Sequence, residues 1–385
     1  MTLVYFTSDG TDSVTTKRIA MFEAAGETVR CLGMVRDTNT AAQIPPSMRV
    51  IAHARNGRLF ARLWAILQGS ITLIVSARRE LRLGDVIIAR NLDMLLLAIL
   101  ARWLAGYGVL VYYEFLDARR QLTGDTIIGY CLRFIERRAL ASCEGVIVSS
   151  PAYVNRYFRD RQEYSGRTRL LENKLWSHGH DTQDPVRSDW RKSERWRIGY
   201  VGLLRCQRSL LTLCDFVQRY DNVELQLHGV ADQNCLQNFS TLTGGRSRIE
   251  YFGRFDYPAD LARIYRNVDF AWLADFSAIG GNSEWLLPNR LYEACAFGAV
   301  PIAIEGTETA NWLARHEIGI ILKNDIGPAL DELFTDMTVA RVNLLKAAVR
   351  ELPRNLFEAS TDDVRELVAW LRKNDAPKLV GLSSE

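Results

Sequence analysis

The chain has 385 residues, of which 48% are hydrophobic and 24% charged. That balance is ordinary for soluble globular proteins and excludes collagen-like, low-complexity and largely disordered classes. The formal charge of +3 gives no electrostatic footprint for nucleic acid, and no nucleic-acid partner is expected. Of the 48 basic residues only seven are Lys, so the cationic surface is an arginine surface. Seven scattered cysteines without a C-x-x-C pair argue against a disulfide framework or a structural zinc site, and for a reducing compartment. The histidines, including His178 and His180, form no metal signature, and no signal peptide is read at the start of the chain.

In chain order the pattern predicts alternating strands and helices. Leu3–Phe6 is a short apolar strand, Ser8–Asp12 a turn, and Ser13–Ala25 a helix stopped by Gly26. Strands follow at Thr28–Leu32 and Asp85–Ala89. Leu92–Tyr113 is apolar enough to test as a membrane span, but Asp93, Arg102, Gly106 and Gly108 interrupt it. It is read as a buried helix, Leu92–Leu104, then a strand, Val109–Tyr113. Another strand, Gly145–Ser149, leads through Ser150-Pro151 into a helix reaching Tyr157.

The polar stretch 177–195 reads as an interdomain linker. A second α/β series then runs through strands at Arg197–Gly202, Val223–Gly229, Ile249–Gly253, Val268–Leu273, Val300–Ile304 and Gly319–Leu322. Its helices are placed from about Ser209, at Pro258–Arg266 and at Pro288–Phe297. The tail closes on an amphipathic helix, Val364–Lys373. The expected organisation is therefore a first parallel-sheet domain (1–176), the linker, a second such domain (196–356), and a C-terminal crossover helix and tail (357–385) returning to the first domain. Open parallel sheets bind ligands beyond the carboxyl ends of their strands, so a central cleft faced by both domains is expected.

The densest signal is Pro288-Asn289-Arg290-Leu291-Tyr292-Glu293-Ala294-Cys295-Ala296-Phe297-Gly298. Proline suits a first helical turn and glycine a helix stop. Asn289 and Glu293 share one face, where the helix dipole attracts a diphosphate and a carboxylate could hold a ribose diol; a capped core helix with solvated Asn289 and Glu293 fits the spacing equally.

This segment resembles the donor-binding helix of GT-B glycosyltransferases, in particular the glycosyltransferase family 4-like group, whose pattern is Pro-Asn-Lys-x-x-Glu, small residues, Gly and x-Pro-Val. Ile198–Arg205, Leu225–Gly229, Tyr251–Arg254, Leu261–Asp269 and Ala141–Pro151 resemble further family segments in the same order. The first half, with Ala89–Asp93, is most similar to enzymes of bacterial exopolysaccharide assembly of the succinoglycan type. The resemblance implies an α/β GT-B fold of two Rossmann-like domains. It also implies transfer of a hexose from a nucleotide diphosphate sugar, UDP-linked by expectation, to a glycan or polyprenyl-diphosphate-linked acceptor.

Carried onto this chain, the resemblance gives Glu293 the donor ribose and the amides of Asn289 and Arg290 the diphosphate. Arg205 and Arg208, after the Gly202 turn, would neutralise the leaving group, with no metal and no further cofactor. The family's two glutamates eight apart are not reproduced: Trp285 stands where the first belongs and Glu284 is one position off. Asn282, Ser283 and Glu284 are retained as donor-sugar candidates, and retention versus inversion stays open. For the acceptor, Asp117 and Glu114 are candidate bases, each of them equally a cap or an arginine partner. Asp9 and Asp12 are candidate hydroxyl ligands, or an ordinary turn.

Basic and aromatic clusters at Arg55, Arg58, Phe60, Arg62, Trp64, Arg78, Arg79, Arg82, Arg133, Arg137 and Arg138 suggest either docking on the inner face of the cytoplasmic membrane or solvated helix faces. Two other readings stand beside transfer: a sugar-nucleotide epimerase of the same architecture, and an inactive subunit that binds sugar nucleotide.

Overall fold

The structure is a computed structural model. It describes residues 2–36, 48–54, 66–75, 81, 85–106, 108–176, 195–236 and 238–372. The linker at 177–194, the cluster Arg55–Trp64, and Arg78, Arg79 and Arg82 lie outside the described residues. The chain forms two compact units: Met1–Leu171 together with the segment starting at Thr361, and Glu172–Ser360.

The first unit holds seven parallel strands: β1 (Thr2–Thr7), β2 (Thr28–Arg36), β3 (Met48–Ala54), β4 (Val86–Arg90), β5 (Leu110–Phe115), β6 (Gly145–Val148) and β7 (Thr168–Leu170). Their order across the sheet is β3-β2-β1-β4-β5-β6-β7, so the connections reverse direction between β1 and β4. Tyr5 is in register with Cys31 on one side and Ile88 on the other. The central strands β1, β4, β5 and β6 are buried almost end to end, as strands of a sheet covered on both faces are. Helix Asn91–Ala105 packs on β4 and β5, and helix Ile127–Leu140 packs beside it. Helix Thr361–Arg372 belongs to this unit: the Tyr112 hydroxyl donates to the Leu371 carbonyl at 2.9 Å, and Trp370 lies 5.1 Å from the Tyr112 ring.

The second unit holds six parallel strands: β8 (Trp196–Val201), β9 (Val223–His228), β10 (Ile249–Gly253), β11 (Phe270–Trp272), β12 (Val300–Ile304) and β13 (Ile320–Leu322). The order β10-β9-β8-β11-β12-β13 is that of a doubly wound dinucleotide-binding sheet. Side-chain alternation divides its core. Phe270 and Trp272 enter one apolar cluster while Ala271 and Leu273 enter the other, on the opposite face. Each such buried large side chain contributes ~1.5–3 kcal/mol.

Several elements differ from the sequence expectation. The strands β3 and β7 and the helix Ile127–Leu140 were not anticipated, and the expected helix to Tyr157 is π-helical over Tyr153–Arg159. Among the described residues no helix is long and apolar enough to cross a membrane.

Candidate functional site

In the second unit the chain leaves β8 through Gly202, whose φ of 107° only glycine adopts without strain. Gly229, at the end of β9, passes so close that a Cβ there would lie 1.8 Å from the Gly202 carbonyl oxygen. This paired turn opens the sheet's reversal point between β8 and β11. Arg205 then reaches across that point, its Nε 2.9 Å from Asp275 Oδ2 in the segment after β11. Burial works to raise the Asp275 carboxyl, but Arg205 and hydrogen bonds from Ser277, helped by Arg290, hold it below the usual carboxylate range.

Arg208 lies 4.2 Å from the centroid of the Phe276 ring and donates to the Asn324 carbonyl at 2.6 Å. It lines a cavity of about 240 Å³ beyond the ends of β11 and β12, together with Asp275, Ser283, Glu284, Thr307 and Asn324. Thr307 caps helix Glu308–Arg315 by accepting from the Ala310 amide at 3.1 Å. The Ser283 hydroxyl accepts from the Ala278 amide at 3.0 Å, and Glu284 accepts from the Gly280 amide at 2.7 Å. The Gly-rich loop is thereby folded onto its own short helix, Asn282–Trp285, with Asn282 buried.

The expected donor helix forms as Asn289–Ala296 after Pro288, with Leu291 and Ala294 buried against the sheet. Asn289 is half-buried at its start. Arg290 donates to the Leu273 carbonyl at 2.8 Å and its guanidinium lies 5.5 Å from the Tyr200 ring centroid. Glu293 is buried and accepts from the Tyr265 hydroxyl at 3.0 Å, so the solvated reading of Glu293 is corrected: this face of the helix is packed against Leu261–Arg266. Of the donor candidates, the cavity brings together Arg208, Ser283 and Glu284; Gly202, Arg205, Asn282, Asn289, Arg290 and Glu293 are not among its lining.

Asp275, Tyr265 and Thr307 were missed by sequence reasoning. Asp275 had no motif of its own, since its partner stands 70 positions away. Thr307 carried a readable signal, a Thr at the N-cap position of helix Glu308–Arg315, which was itself not anticipated.

In the first unit, the strand now seen as β5 was expected to deliver both Glu114 and Asp117 to the cleft as candidate bases. Glu114 instead faces inward from the strand, and its side chain is 1% exposed. Arg18 Nε donates to one carboxylate oxygen at 2.8 Å and the Tyr5 hydroxyl donates to the other. Asp117 is exposed beyond the strand end. Asp9 is buried in a local turn, accepting from the Thr11 amide and hydroxyl at 3.1 and 2.8 Å. Asp12 caps helix Ser13–Ala24 through the Thr15 amide at 2.7 Å and pairs with Arg90, at the end of β4, at 2.7 Å. Arg133, expected on a basic surface, is buried, with its guanidinium on the Leu122 and Gly124 carbonyls. Among the described residues no group of three or more His, Cys, Asp or Glu is gathered as metal ligands.

No protein-family model matches the chain. Among solved structures, sucrose-phosphate synthase from Thermosynechococcus elongatus superposes with a TM-score of 0.70 at 16% identity, covering 96% of this chain and 98% of that one. Anabaena HepE, solved in complex with UDP and glucose, superposes with a TM-score of 0.67 at 14% identity, with coverage of 96% and 98%. At these identities the likeness is one of fold, the two-sheet GT-B fold. A sequence relative goes further: the succinoglycan biosynthesis protein ExoL of Rhizobium meliloti (strain 1021) is 33% identical over 361 residues, 91% of this chain and 88% of that protein. The chain therefore has the GT-B fold and belongs to the family of that succinoglycan biosynthesis protein.

Proposed function

We propose that the chain transfers a hexose from UDP-sugar to a growing, lipid-carried glycan in exopolysaccharide synthesis. The observation that carries the reading is the cavity beyond β11 and β12, rimmed by Arg208 and Asp275, in a chain of this family. The neighbouring HepE structure, solved with UDP and glucose, supports a uridine diphosphate donor. In the reaction the bond from the anomeric carbon to the diphosphate oxygen breaks, the acceptor oxygen bonds that carbon, and UDP leaves with the added negative charge. Arg208, and Arg205 held by Asp275, stabilise that charge, and the start of helix Asn289–Ala296 adds its dipole.

Asp117 takes the acceptor proton in an inverting course, because it is exposed at a strand end. Glu114 is assigned to holding the sheet, since both its oxygens are engaged inside the unit. Glu293 binds the ribose, sharing its carboxylate with Tyr265.

The test is thermal stabilisation by UDP and by a panel of UDP-sugars, since a ligand that binds only the folded state raises its apparent stability. Wild-type protein is expected to be stabilised and Glu293→Gln to need ~tenfold more UDP for the same shift. An unchanged UDP response in Glu293→Gln removes Glu293 from the site, and no response from wild type to any UDP compound overturns the donor class. Isomerised sugar formed without an acceptor would favour the epimerase reading instead.

A further inference from the structure

Cys206 stands in the sequence between Arg205 and Arg208, and the reaction proposed above makes no use of its thiol. It is buried, 2% exposed, at the cap of helix Gln207–Arg219. Caps of this kind are usually Ser, Thr, Asp or Asn, whose side-chain oxygen accepts from an amide of the first helical turn. Here a sulfur takes that place, accepting from the Ser209 amide at 3.4 Å. The same sulfur accepts from the Phe276 amide, in the loop after β11, at 3.2 Å. A C–S bond is longer than a C–O bond, so one side chain serves both its own helix and the neighbouring loop.

The bond to Phe276 joins three other ties between residues 205–209 and that loop. Arg205 bonds Asp275 Oδ2 at 2.9 Å, Arg208 lies 4.2 Å from the Phe276 ring centroid, and the Ser209 hydroxyl donates to the Ala274 carbonyl at 3.2 Å. The two outer ties are made by guanidiniums that meet solvent, since Arg208 is exposed and the Arg205 side chain is 35% exposed. An arriving diphosphate competes with Asp275 and Phe276 for them. The two inner ties, from Cys206 and Ser209, are buried, where water does not compete for a hydrogen bond. The inner ties therefore hold the backbone of both arginines while the guanidiniums turn to a ligand.

We propose that Cys206 is a positioning residue for the donor. Its sulfur, accepting from the Ser209 and Phe276 amides, sets Arg205 and Arg208 at the reversal point of the second sheet in the placement that receives a nucleoside diphosphate. The inference rests on the donor reading and adds to it the group that orders its cations. Such preorganisation lowers the ordering cost of binding, so its loss is read as weaker affinity. Sulfur is a weak acceptor, so the effect is smaller than that of removing a guanidinium.

The test is UDP binding to the full chain by calorimetry, with the urea midpoint and circular dichroism of every variant. Cys206→Ala removes the acceptor and should weaken UDP binding ~tenfold, the size expected for two modest hydrogen bonds. Cys206→Ser supplies an acceptor at a favoured cap and should return the affinity to within ~threefold of wild type. Thr338→Ala controls for cap loss alone. Thr338 caps helix Val339–Glu351 of the same unit by accepting from the Arg341 amide at 3.2 Å. That variant should lose a comparable share of stability and keep its UDP affinity within ~twofold. Unchanged affinity in Cys206→Ala, with wild type binding UDP, overturns this inference and leaves the donor reading standing. Absent binding by wild type overturns the donor reading and this inference with it. A loss matched by Thr338→Ala assigns the effect to general destabilisation, and weaker binding by Cys206→Ser than by Cys206→Ala assigns the thiol to apolar packing; either result overturns the positioning role.

Discussion

The reversal points of the two sheets are bridged by the same kind of pair in opposite polarity. Between β1 and β4, the carboxylate Asp12 comes from the loop after the first strand and Arg90 from the end of the fourth. Between β8 and β11, the loop after the first strand supplies Arg205 and the fourth strand's loop supplies Asp275. In each the inner member belongs to the fourth strand: the Arg90 side chain is 10% exposed against 30% for Asp12, and Asp275 7% against 35% for Arg205. The first unit thus presents a carboxylate outward and the second a guanidinium. On the function proposed above, this reversal would set acceptor hydroxyls against the first sheet and the donor diphosphate against the second.

That contrast can be broken in several ways. Asp117→Asn, on the first unit, should cut turnover ~10²–10⁴-fold with UDP binding intact, measured by UDP release with acceptor present; a fully active variant retires it as the base. Glu114→Ala leaves Arg18 buried without its carboxylate and should cost ~3–5 kcal/mol of stability in urea, again with no loss of UDP affinity for the protein that remains folded. Arg205→Ala should weaken UDP binding ~10–100-fold by calorimetry, while Asp12→Asn leaves it within ~twofold; equal effects from both would erase the distinction between the sheets.

The second unit should also be the more acid-sensitive. His228, buried at the end of β9 against Phe252, is pushed down to about 4, first by burial and then by Arg263. An unfolded histidine takes its proton near 6.5, so between these values the unfolded chain binds more protons and stability falls as pH drops. A loss of ~2 kcal/mol from pH 7 to 4 is expected from this group. His228→Gln should flatten the dependence of the urea midpoint over that window.

The second unit was the more legible of the two in the sequence. Ile249–Gly253 and Val300–Ile304 form strands with the expected ends, because apolar runs bounded by glycine or a loop have few other choices. The helix Ile127–Leu140 was not read, and its pattern explains why. A 3.6-residue period marks an apolar stripe but not which way the stripe faces, and only Glu136 meeting Tyr113, Tyr157 and Gln162 decides that. The same limit hid Asp275 and the inward turn of Glu114. Each is defined by a partner far along the chain, Arg205 in one case and Arg18 in the other, and neither carries a local signature.

Because helix Thr361–Arg372 folds with Met1–Leu171, the second unit is an insertion within the first rather than its successor. Dissection must follow that nesting. Excising Glu172–Ser360 as a fragment cuts the chain at two points and takes a whole sheet, whereas a stop after Leu171 strips the first sheet of the helix that accepts from Tyr112 and carries Trp370 under the Arg167 guanidinium. A stand-alone first half therefore requires the last helix to be grafted back through a short bridging peptide, and a C-terminal truncation intended to trim a tail would unseat the amino-terminal half instead.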